Sequence, residues 1–181
     1  MTIEQNNIEN KRILVTGANG FVGSFLTKKL INAGFEVITS TRKKNSISNT
    51  KDQFLINSLD SQVNWSKALD NCSTVVHLAA RAHKINDKSN NILERYREIN
   101  TNATINLGKQ AIKAGVKKFI FISTIGVNGS FTMDKQRFKF NDKPNPSDGY
   151  SISKWNSEKF LKNSFYDTQT KLIIIRPPLV Y

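Results

Sequence analysis

The sequence predicts an α/β fold in which helices cover both faces of a doubly wound parallel sheet. Short runs of apolar and β-branched residues alternate with segments of helical period along the 181 residues. In the second half of the chain these runs are almost continuously apolar, which is typical of strands buried on both faces. A chain of this length can bury a sizeable core without disulfides, and Cys72 is its only cysteine.

The first half of the chain reads as strand, turn, helix and strand. Residues 12–16 (RILVT) form the first predicted strand, and apolar side chains then recur at helical spacing as far as Ala33. Gly34 stands where a helix ends, and the β-branched residues 35–40 predict the second strand. The next predicted elements are strands at 54–56 and 74–78 and a short amphipathic segment at 65–69 between them.

The second half continues this alternation. Apolar residues three or four apart predict one long helix over 91–114, which ends at Gly115. The remaining predicted elements are a strand at 116–123, a helix over 153–165 and a strand at 171–175. The long irregular stretch 126–149 is expected to be functional or mobile, because compact domains rarely contain such loops otherwise.

The chain is strongly basic, with 27 Lys and Arg against 14 Asp and Glu and a net charge of +13. Such a field suits nucleic acid, an anionic membrane surface or a phosphate-bearing substrate. The basic residues are scattered in pairs and no RNA-binding or helix-turn-helix signal accompanies them, so no nucleic-acid partner is expected. No apolar run approaches the roughly 18 residues of a membrane span. We therefore expect a cytoplasmic protein with a disordered polar tail at 1–10 and one domain at 11–181.

A glycine-containing turn, TGANGFVG at 16–23, lies between the first strand and the first helix. Gly17 would allow a sharp turn, Gly20 would let backbone N–H groups approach a pyrophosphate, and Gly23 would let helix and sheet pack closely. Phosphates would then lie at the positive end of the helix dipole. A glycine triplet in a loop is often only a turn, but its place between strand and helix favours dinucleotide binding.

The end of the second strand is where an acidic residue would bind an adenosine ribose. Thr41 and Arg42 occupy that place instead, followed by two lysines. A guanidinium suits a 2′-phosphate better than a 2′-hydroxyl, which favours NADP over NAD. The alternative is that Arg42 is simply exposed.

Tyr150 and Lys154 are four residues apart at the start of a predicted helix and therefore share one face. A nearby ammonium stabilises a phenolate and lowers the pKa of a tyrosine, which makes the phenol a usable proton acceptor and donor. In so lysine-rich a chain this spacing can also arise by chance. Ser123 or Thr124, at the end of a predicted strand, could supply a hydroxyl to a substrate oxygen.

Several motifs in order along the chain carry a family resemblance. They are TGANGFVG at 16–23, HLAA at 77–80, NTNAT at 100–104, STIGVNG at 123–129, the Tyr150–Lys154 pair and RPPLVY at 176–181. The chain from Lys11 onwards resembles the extended short-chain dehydrogenase/reductase family, and within it the nucleotide-sugar epimerase/dehydratase group. The resemblance implies a Rossmann-type domain that binds NAD or NADP.

The resemblance also implies roles for individual residues. Thr124 and Tyr150 would contact the sugar 4-oxygen, with Tyr150 exchanging its proton, and Lys154 would bind the nicotinamide ribose and tune Tyr150. The cofactor contacts are expected at Gly17, Asn19, Gly20, Phe21, Val22, Gly23, Thr41, Arg42, Leu78, Ala79, Ala80, Asn100, Lys154 and Pro177. His77 is expected to be structural, and no metal site is expected.

Two departures from the family bear on function. Where the family has an aspartate after the third strand, this chain has Ser58, with Asp60 two positions later. The sequence also ends at Tyr181, where the family continues into a smaller C-terminal lobe that grips the substrate nucleotide. The expected function is a 4-epimerase of a UDP-hexose or UDP-N-acetylhexosamine, in a homodimer. The alternatives are a 4-keto reductase, a dehydratase, or a catalytically silent dinucleotide-binding module.

Overall fold

The computed structural model describes residues 12–43, 52–81, 91–133, 136–178 and 180. Its centre is a six-stranded sheet in the order β3-β2-β1-β4-β5-β6, and all five pairings are parallel. The strands are β1 (Arg12–Thr16), β2 (Glu36–Thr41), β3 (Asp52–Leu55), β4 (Thr74–His77), β5 (Lys118–Ile122) and β6 (Lys171–Ile175). This order is that of the doubly wound Rossmann fold, so the predicted fold class is confirmed.

Within the described residues, five α-helices connect these strands. They are α1 (Phe21–Asn32), α2 (Ser66–Leu69), α3 (Ile92–Tyr96), α4 (Ala103–Lys113) and α5 (Gly149–Phe165). A π-helical segment, Arg97–Asn102, joins α3 to α4, and a 3₁₀ turn, Ile125–Val127, follows β5. No helix in the described parts of the chain is long and apolar enough to cross a bilayer.

The apolar core lies on both faces of the sheet because successive residues of a strand point to opposite sides. In β1, Leu14 packs into the larger cluster, together with Trp65, Phe119 and Leu161. Its neighbours Ile13 and Val15 belong instead to a second cluster with Val37 and Val76. The near-continuous apolar runs are therefore explained by a sheet covered on both sides.

The strand order reverses at β1: the chain first runs outwards from β1 through β2 to β3, and then returns to β4 on the other side of β1. In parallel sheets of this kind the ligand crevice opens at such a switch point, outside the carboxyl ends of the strands. Thr16 is paired with Ser40 on one side and His77 on the other, so the ends of three strands meet there.

The prediction of one uninterrupted helix over 91–114 is wrong in its middle. The Asn100 carbonyl accepts hydrogen bonds from the hydroxyls of Thr104 (2.7 Å) and Ser157 (2.8 Å). The Thr104 hydroxyl stands where the backbone N–H of the same residue would bind in a regular α-helix. The segment Arg97–Asn102, which contains this carbonyl, is π-helical, a feature frequently found at functional sites.

Helix α5 begins four residues earlier than predicted. The Asp148 side chain caps it by accepting hydrogen bonds from the backbone N–H (2.9 Å) and the hydroxyl (2.6 Å) of Ser151. This is an ordinary N-cap signal that apolar spacing alone does not reveal. The predicted tail at 1–10 lies outside the described residues.

Candidate functional site

The glycine turn after β1 has the backbone that its sequence predicts. Gly17 has φ +70°, in the left-handed region that favours glycine. A Cβ atom on Gly17 would lie 2.6 Å from the Ala79 nitrogen and 2.8 Å from its Cα. The turn is thus pressed against the backbone that follows β4, and a side chain would force the two strand ends apart.

The other two glycines of the turn hold helix α1 close to it. A Cβ atom on Gly23 would overlap the Gly17 carbonyl oxygen, and one on Gly20 would lie 3.2 Å from the same atom. Helix α1 starts at Gly20 with no side-chain cap, and its first intrahelical bond runs from Ser24 N–H to the Gly20 carbonyl (2.9 Å). The first N–H groups of a helix have no intrahelical partner, so this end is free to receive an anion.

The predicted residues of this turn that face outwards are exposed in the structure. Asn19 and Gly20 are exposed, and the side chains of Phe21 and Val22 are 73% and 41% exposed. Large exposed apolar groups beside a helix N-terminus offer a ligand both a surface to pack on and polar backbone to bind.

His77 ties the turn to the π-helical segment. Its ring is fully buried, with Nδ1 2.6 Å from the Thr16 hydroxyl and Nε2 2.8 Å from the Thr104 hydroxyl. Because Thr104 donates its proton to the Asn100 carbonyl, Nε2–H of His77 must donate to Thr104, and Thr16 donates to Nδ1. Burial, reinforced by the Lys154 charge, lowers the pKa of His77 to about 3, so the ring is neutral. Thr16 also accepts a bond from Ala79 N–H (3.2 Å).

Asn100, one of the predicted cofactor contacts, is buried and bound to the segment that follows β4. It is 1% exposed, and its side-chain oxygen accepts from Arg81 N–H (2.7 Å). Its amide N–H groups donate to the Arg81 carbonyl (3.1 Å) and the Ser153 hydroxyl (3.0 Å). Asn100 clamps the segment that carries Leu78, Ala79 and Ala80, which are half-buried beside Gly17.

The end of β2 carries the two residues predicted to read the adenosine ribose. Thr41 is buried and donates its hydroxyl to the Lys43 carbonyl (3.0 Å), whereas Arg42 is exposed. The Ser58 hydroxyl hydrogen-bonds Asp60, whose other oxygen accepts from Gln62 N–H (2.9 Å). Asp60 is therefore engaged in its own turn.

Tyr150 and Lys154 lie in the first two turns of α5. Lys154 is 1% exposed, and its Nζ lies 4.2 Å from the centroid of the Phe121 ring. Burial lowers the pKa of Lys154 to about 7, against the opposing effect of Glu158. The predicted lowering of the Tyr150 pKa is wrong. Burial is the main cause that raises this pKa, and the charges of Asp148 and Tyr96 raise it further. The Lys154 ammonium lies over the ring of Phe121.

The structure separates the two hydroxyls at the end of β5. The Ser123 hydroxyl is buried and donates to Glu158 Oε1 (2.6 Å), so it is committed to the protein interior. Thr124 is half-buried and caps the 3₁₀ turn, its Oγ1 accepting from Gly126 N–H (3.2 Å). Thr124 is the hydroxyl left at the carboxyl edge of the sheet.

Sequence reasoning missed the buried Glu158–Arg176 pair. Glu158 is fully buried and receives Arg176 Nε (2.9 Å) and Nη2 (2.6 Å) on its two oxygens. Its spacing of four from Lys154 was the available signal, because it repeats the interval between Tyr150 and Lys154. Pro177 follows Arg176 and is half-buried, and its carbonyl accepts from Ile125 N–H (3.0 Å).

Within the described residues, no three His, Cys, Asp or Glu side chains gather where they could hold a metal ion. The site contains a helix N-terminus for an anion, a buried lysine, a phenol and a hydroxyl at adjoining strand and helix ends. Together with the strand order, these features define a dinucleotide-binding Rossmann domain that carries a tyrosine–lysine pair.

Comparison with known proteins agrees with this class. The chain belongs to the NAD-dependent epimerase/dehydratase family, whose model matches residues 13–181. The UDP-glucose 4-epimerase of Vibrio cholerae is 41% identical over 171 residues, which cover 94% of this chain and 52% of that protein. The predicted family resemblance is confirmed.

Two solved structures share the fold. MoeE5 in complex with UDP-glucose and NAD superposes with a TM-score of 0.75 at 27% identity, over 90% of this chain and 52% of that one. The UDP-glucuronic acid 4-epimerase from Bacillus cereus, in complex with NAD, gives a TM-score of 0.80 over 94% of this chain and 57% of that one. At 24% identity the second likeness shows the fold alone. The chain spans about half the length of these relatives.

Proposed function

We propose that this chain is the dinucleotide-binding and proton-transfer half of a nucleotide-sugar 4-epimerase that acts on a UDP-hexose or UDP-N-acetylhexosamine. The observation that carries the proposal is the Gly17 turn, whose left-handed backbone lies against Ala79 and opens onto the uncapped start of α1. The sugar class is supported by the Vibrio cholerae relative, which is a UDP-glucose 4-epimerase.

The residues of the turn fit a redox dinucleotide. The positions of Gly17 and Gly23 admit no side chain, because the turn packs tightly against the neighbouring backbone. Gly20 is exposed and would let a diphosphate approach the backbone. The N–H groups at the start of α1 supply donors for that diphosphate, and the helix dipole adds a favourable field. When bound, the nicotinamide ring supplies a reversible acceptor for the hydrogen on the sugar carbon.

The chain's own contribution to the chemistry is positioning and proton exchange. Thr124 presents a hydroxyl at the end of β5, and Tyr150 presents a phenol from the first turn of α5. Lys154 lies one turn from Tyr150 and titrates near neutrality, with a pKa of about 7. An ammonium brought near the phenol favours the phenolate, so Tyr150 can accept the proton of the sugar 4-hydroxyl and later return it.

The choice between NAD and NADP depends on the end of β2. Arg42 is exposed there, and Asp60, which follows β3, is hydrogen-bonded within its own turn. An exposed guanidinium at this position favours the 2′-phosphate of NADP, although MoeE5 was solved with NAD. A preference for NADP would favour the second candidate, a 4-keto reductase that consumes the reduced cofactor in each turnover.

The cofactor proposal is tested by fluorescence titration of NADH and NADPH against the chain and its Arg42→Ala variant. We expect the wild type to bind NADPH more tightly, and the loss of one charge-assisted phosphate contact to weaken NADPH about tenfold with little change for NADH. Arg97→Ala, which removes an exposed arginine from the π-helical segment, is the charge-matched control. Equal affinities for the two cofactors in the wild type would contradict the role of Arg42.

The chemistry is tested with Tyr150→Phe and UDP-glucose or UDP-N-acetylglucosamine as substrate. Loss of the proton carrier should lower turnover by about 10²- to 10⁴-fold and leave cofactor affinity nearly intact. Tyr166→Phe removes the same atom from a side chain that is 84% exposed and is the matched control. Unchanged turnover in Tyr150→Phe would refute the proposal. Saturable cofactor binding with no turnover in the wild type would favour the catalytically silent module.

A further inference from the structure

The Glu158 carboxylate is one of the most heavily bonded groups in the described chain. It is fully buried, and its Oε1 accepts from the Ser123 hydroxyl (2.6 Å) and from Arg176 Nε (2.9 Å). Its Oε2 accepts from Arg176 Nη2 (2.6 Å), with Lys162 Nζ further away at 3.8 Å. A paired arginine fork is the geometry in which a buried carboxylate is best satisfied.

The same network reaches the loop beyond β5. Arg176 Nη1 donates to the Asn128 side-chain oxygen (3.0 Å), and Asn128 donates in turn to the Lys139 carbonyl (2.9 Å). The backbone adds Ser123 N–H to the Ile175 carbonyl at 2.7 Å. One carboxylate therefore joins α5 to the end of β5 and to the chain leaving β6. Thr124 lies inside this frame, between Ser123 and the 3₁₀ turn.

Resting on the proposed function, we propose that Glu158 is a positioning residue of the proton-transfer site. Through Ser123 and Arg176 it fixes the segment that presents Thr124, and through its charge it acts on Lys154, one turn earlier in α5. Glu158 would touch neither substrate nor cofactor, because its oxygens are already taken by Ser123 and Arg176.

The surroundings of Lys154 explain why the charge of Glu158 affects the pKa of Lys154. The ammonium lies over the Phe121 ring from β5, and its charge acts on neutral His77 from β4. On its own helix Tyr150 precedes it by one turn and packs against Tyr96. Burial lowers the pKa of Lys154, and the negative charge of Glu158 is the effect that raises it again. Arg176 moderates that effect because it is bound to Glu158. Removal of the charge should therefore drive Lys154 towards its neutral form.

The first test measures the two effects without substrate or cofactor. The pKa of Lys154 is followed by NMR of ¹³C-labelled lysine, with Lys154→Met to assign the signal, and protection of the Gly126 amide is followed by hydrogen exchange. In Glu158→Gln we expect the Lys154 pKa to fall below its wild-type value and Gly126 exchange to accelerate at least tenfold. Lys162→Gln, which removes the exposed partner and leaves the buried fork intact, should change neither.

The Ser123→Ala variant separates the effect of the Ser123–Glu158 hydrogen bond from the effect of the Glu158 charge. It removes the hydroxyl at Glu158 and keeps the carboxylate, so Gly126 exchange should accelerate while the Lys154 pKa stays at the wild-type value. This variant also decides the positioning role if Glu158→Gln does not fold. Unchanged Gly126 exchange in Ser123→Ala would overturn that role, and an unshifted Lys154 pKa in folded Glu158→Gln would overturn the electrostatic role.

Turnover then connects Glu158 to function. In Glu158→Gln we expect kcat to fall about 10- to 100-fold, because a small misplacement of a reacting group costs that much, with cofactor affinity retained. The shifted Lys154 should also move the pH profile of kcat towards lower pH, which a purely structural role would not do. A wild-type chain that binds no dinucleotide would refute the proposed function, whereas the exchange and NMR results would still decide what Glu158 does to the fold and to Lys154.

Discussion

Replacement of Gly17 by alanine tests whether the turn is pressed against the end of β4. The left-handed backbone at φ +70° costs an alanine about 1–2 kcal/mol. The new Cβ would also lie 2.6 Å from the Ala79 nitrogen, and relief of such overpacking costs about 1–3 kcal/mol. The free energy of unfolding should therefore fall by about 2–5 kcal/mol.

Gly34 offers a matched control. It has φ +81°, but a Cβ atom added there would meet no atom within 4 Å, so Gly34→Ala should cost only the backbone strain, about 1–2 kcal/mol. In urea, with a slope of about 2 kcal/mol per molar, the midpoint should drop by about 1–2.5 M for Gly17→Ala and by about 0.5–1 M for Gly34→Ala. NADH affinity should fall only in Gly17→Ala. Equal midpoints for the two variants would refute the close approach of Gly17 to Ala79.

Two further predictions concern buried groups of the site. The Tyr96 hydroxyl is buried with no hydrogen-bond partner among the described residues, so Tyr96→Phe should raise the free energy of unfolding by about 1 kcal/mol, whereas the exposed Tyr166→Phe should change little in the same urea titration. The pKa of Lys154 falls from 10.5 to about 7 on folding, so between these values the unfolded chain binds more protons and stability rises with pH. Relative to Lys154→Met, the wild type should gain about 2 kcal/mol between pH 7 and pH 9, and parallel stabilities would contradict a buried, titrating lysine.

Local patterns in the sequence were sufficient to predict the sheet and the glycine turn at 16–23. The apolar residues of a strand are enough to predict it. The glycines at 17, 20 and 23 also lie within one short segment, so their spacing can be recognised without knowledge of distant contacts. The π-helical segment Arg97–Asn102 could not be predicted from such local patterns. Among its contacts is the hydroxyl of Ser157, which lies 57 residues from the Asn100 carbonyl that it binds.

In the candidate site, too, some features follow from local sequence patterns and others depend on contacts between distant residues. The spacing of Tyr150 and Lys154 places them on one helix face, but the direction of the Tyr150 pKa depends on burial and on Asp148 and Tyr96 around it. Asn100 belongs to a motif that predicts a cofactor contact, but its hydrogen bonds to Arg81 and Ser153 could not be predicted from that motif. Whether a polar side chain binds the protein or a ligand depends on which partner the fold brings within hydrogen-bond distance.

The sequence by itself determined the α/β class and the glycine turn, because periodicity and glycine spacing act over a few residues at a time. The family was identified from the resemblance of several motifs along the chain. Only the tertiary structure decided that Ser123 serves Glu158 and leaves Thr124 at the crevice. These residues are 35 positions apart, and their meeting depends on how α5 packs across β5 and β6. Packing of that kind is set by the whole core, so no single segment of the sequence records it.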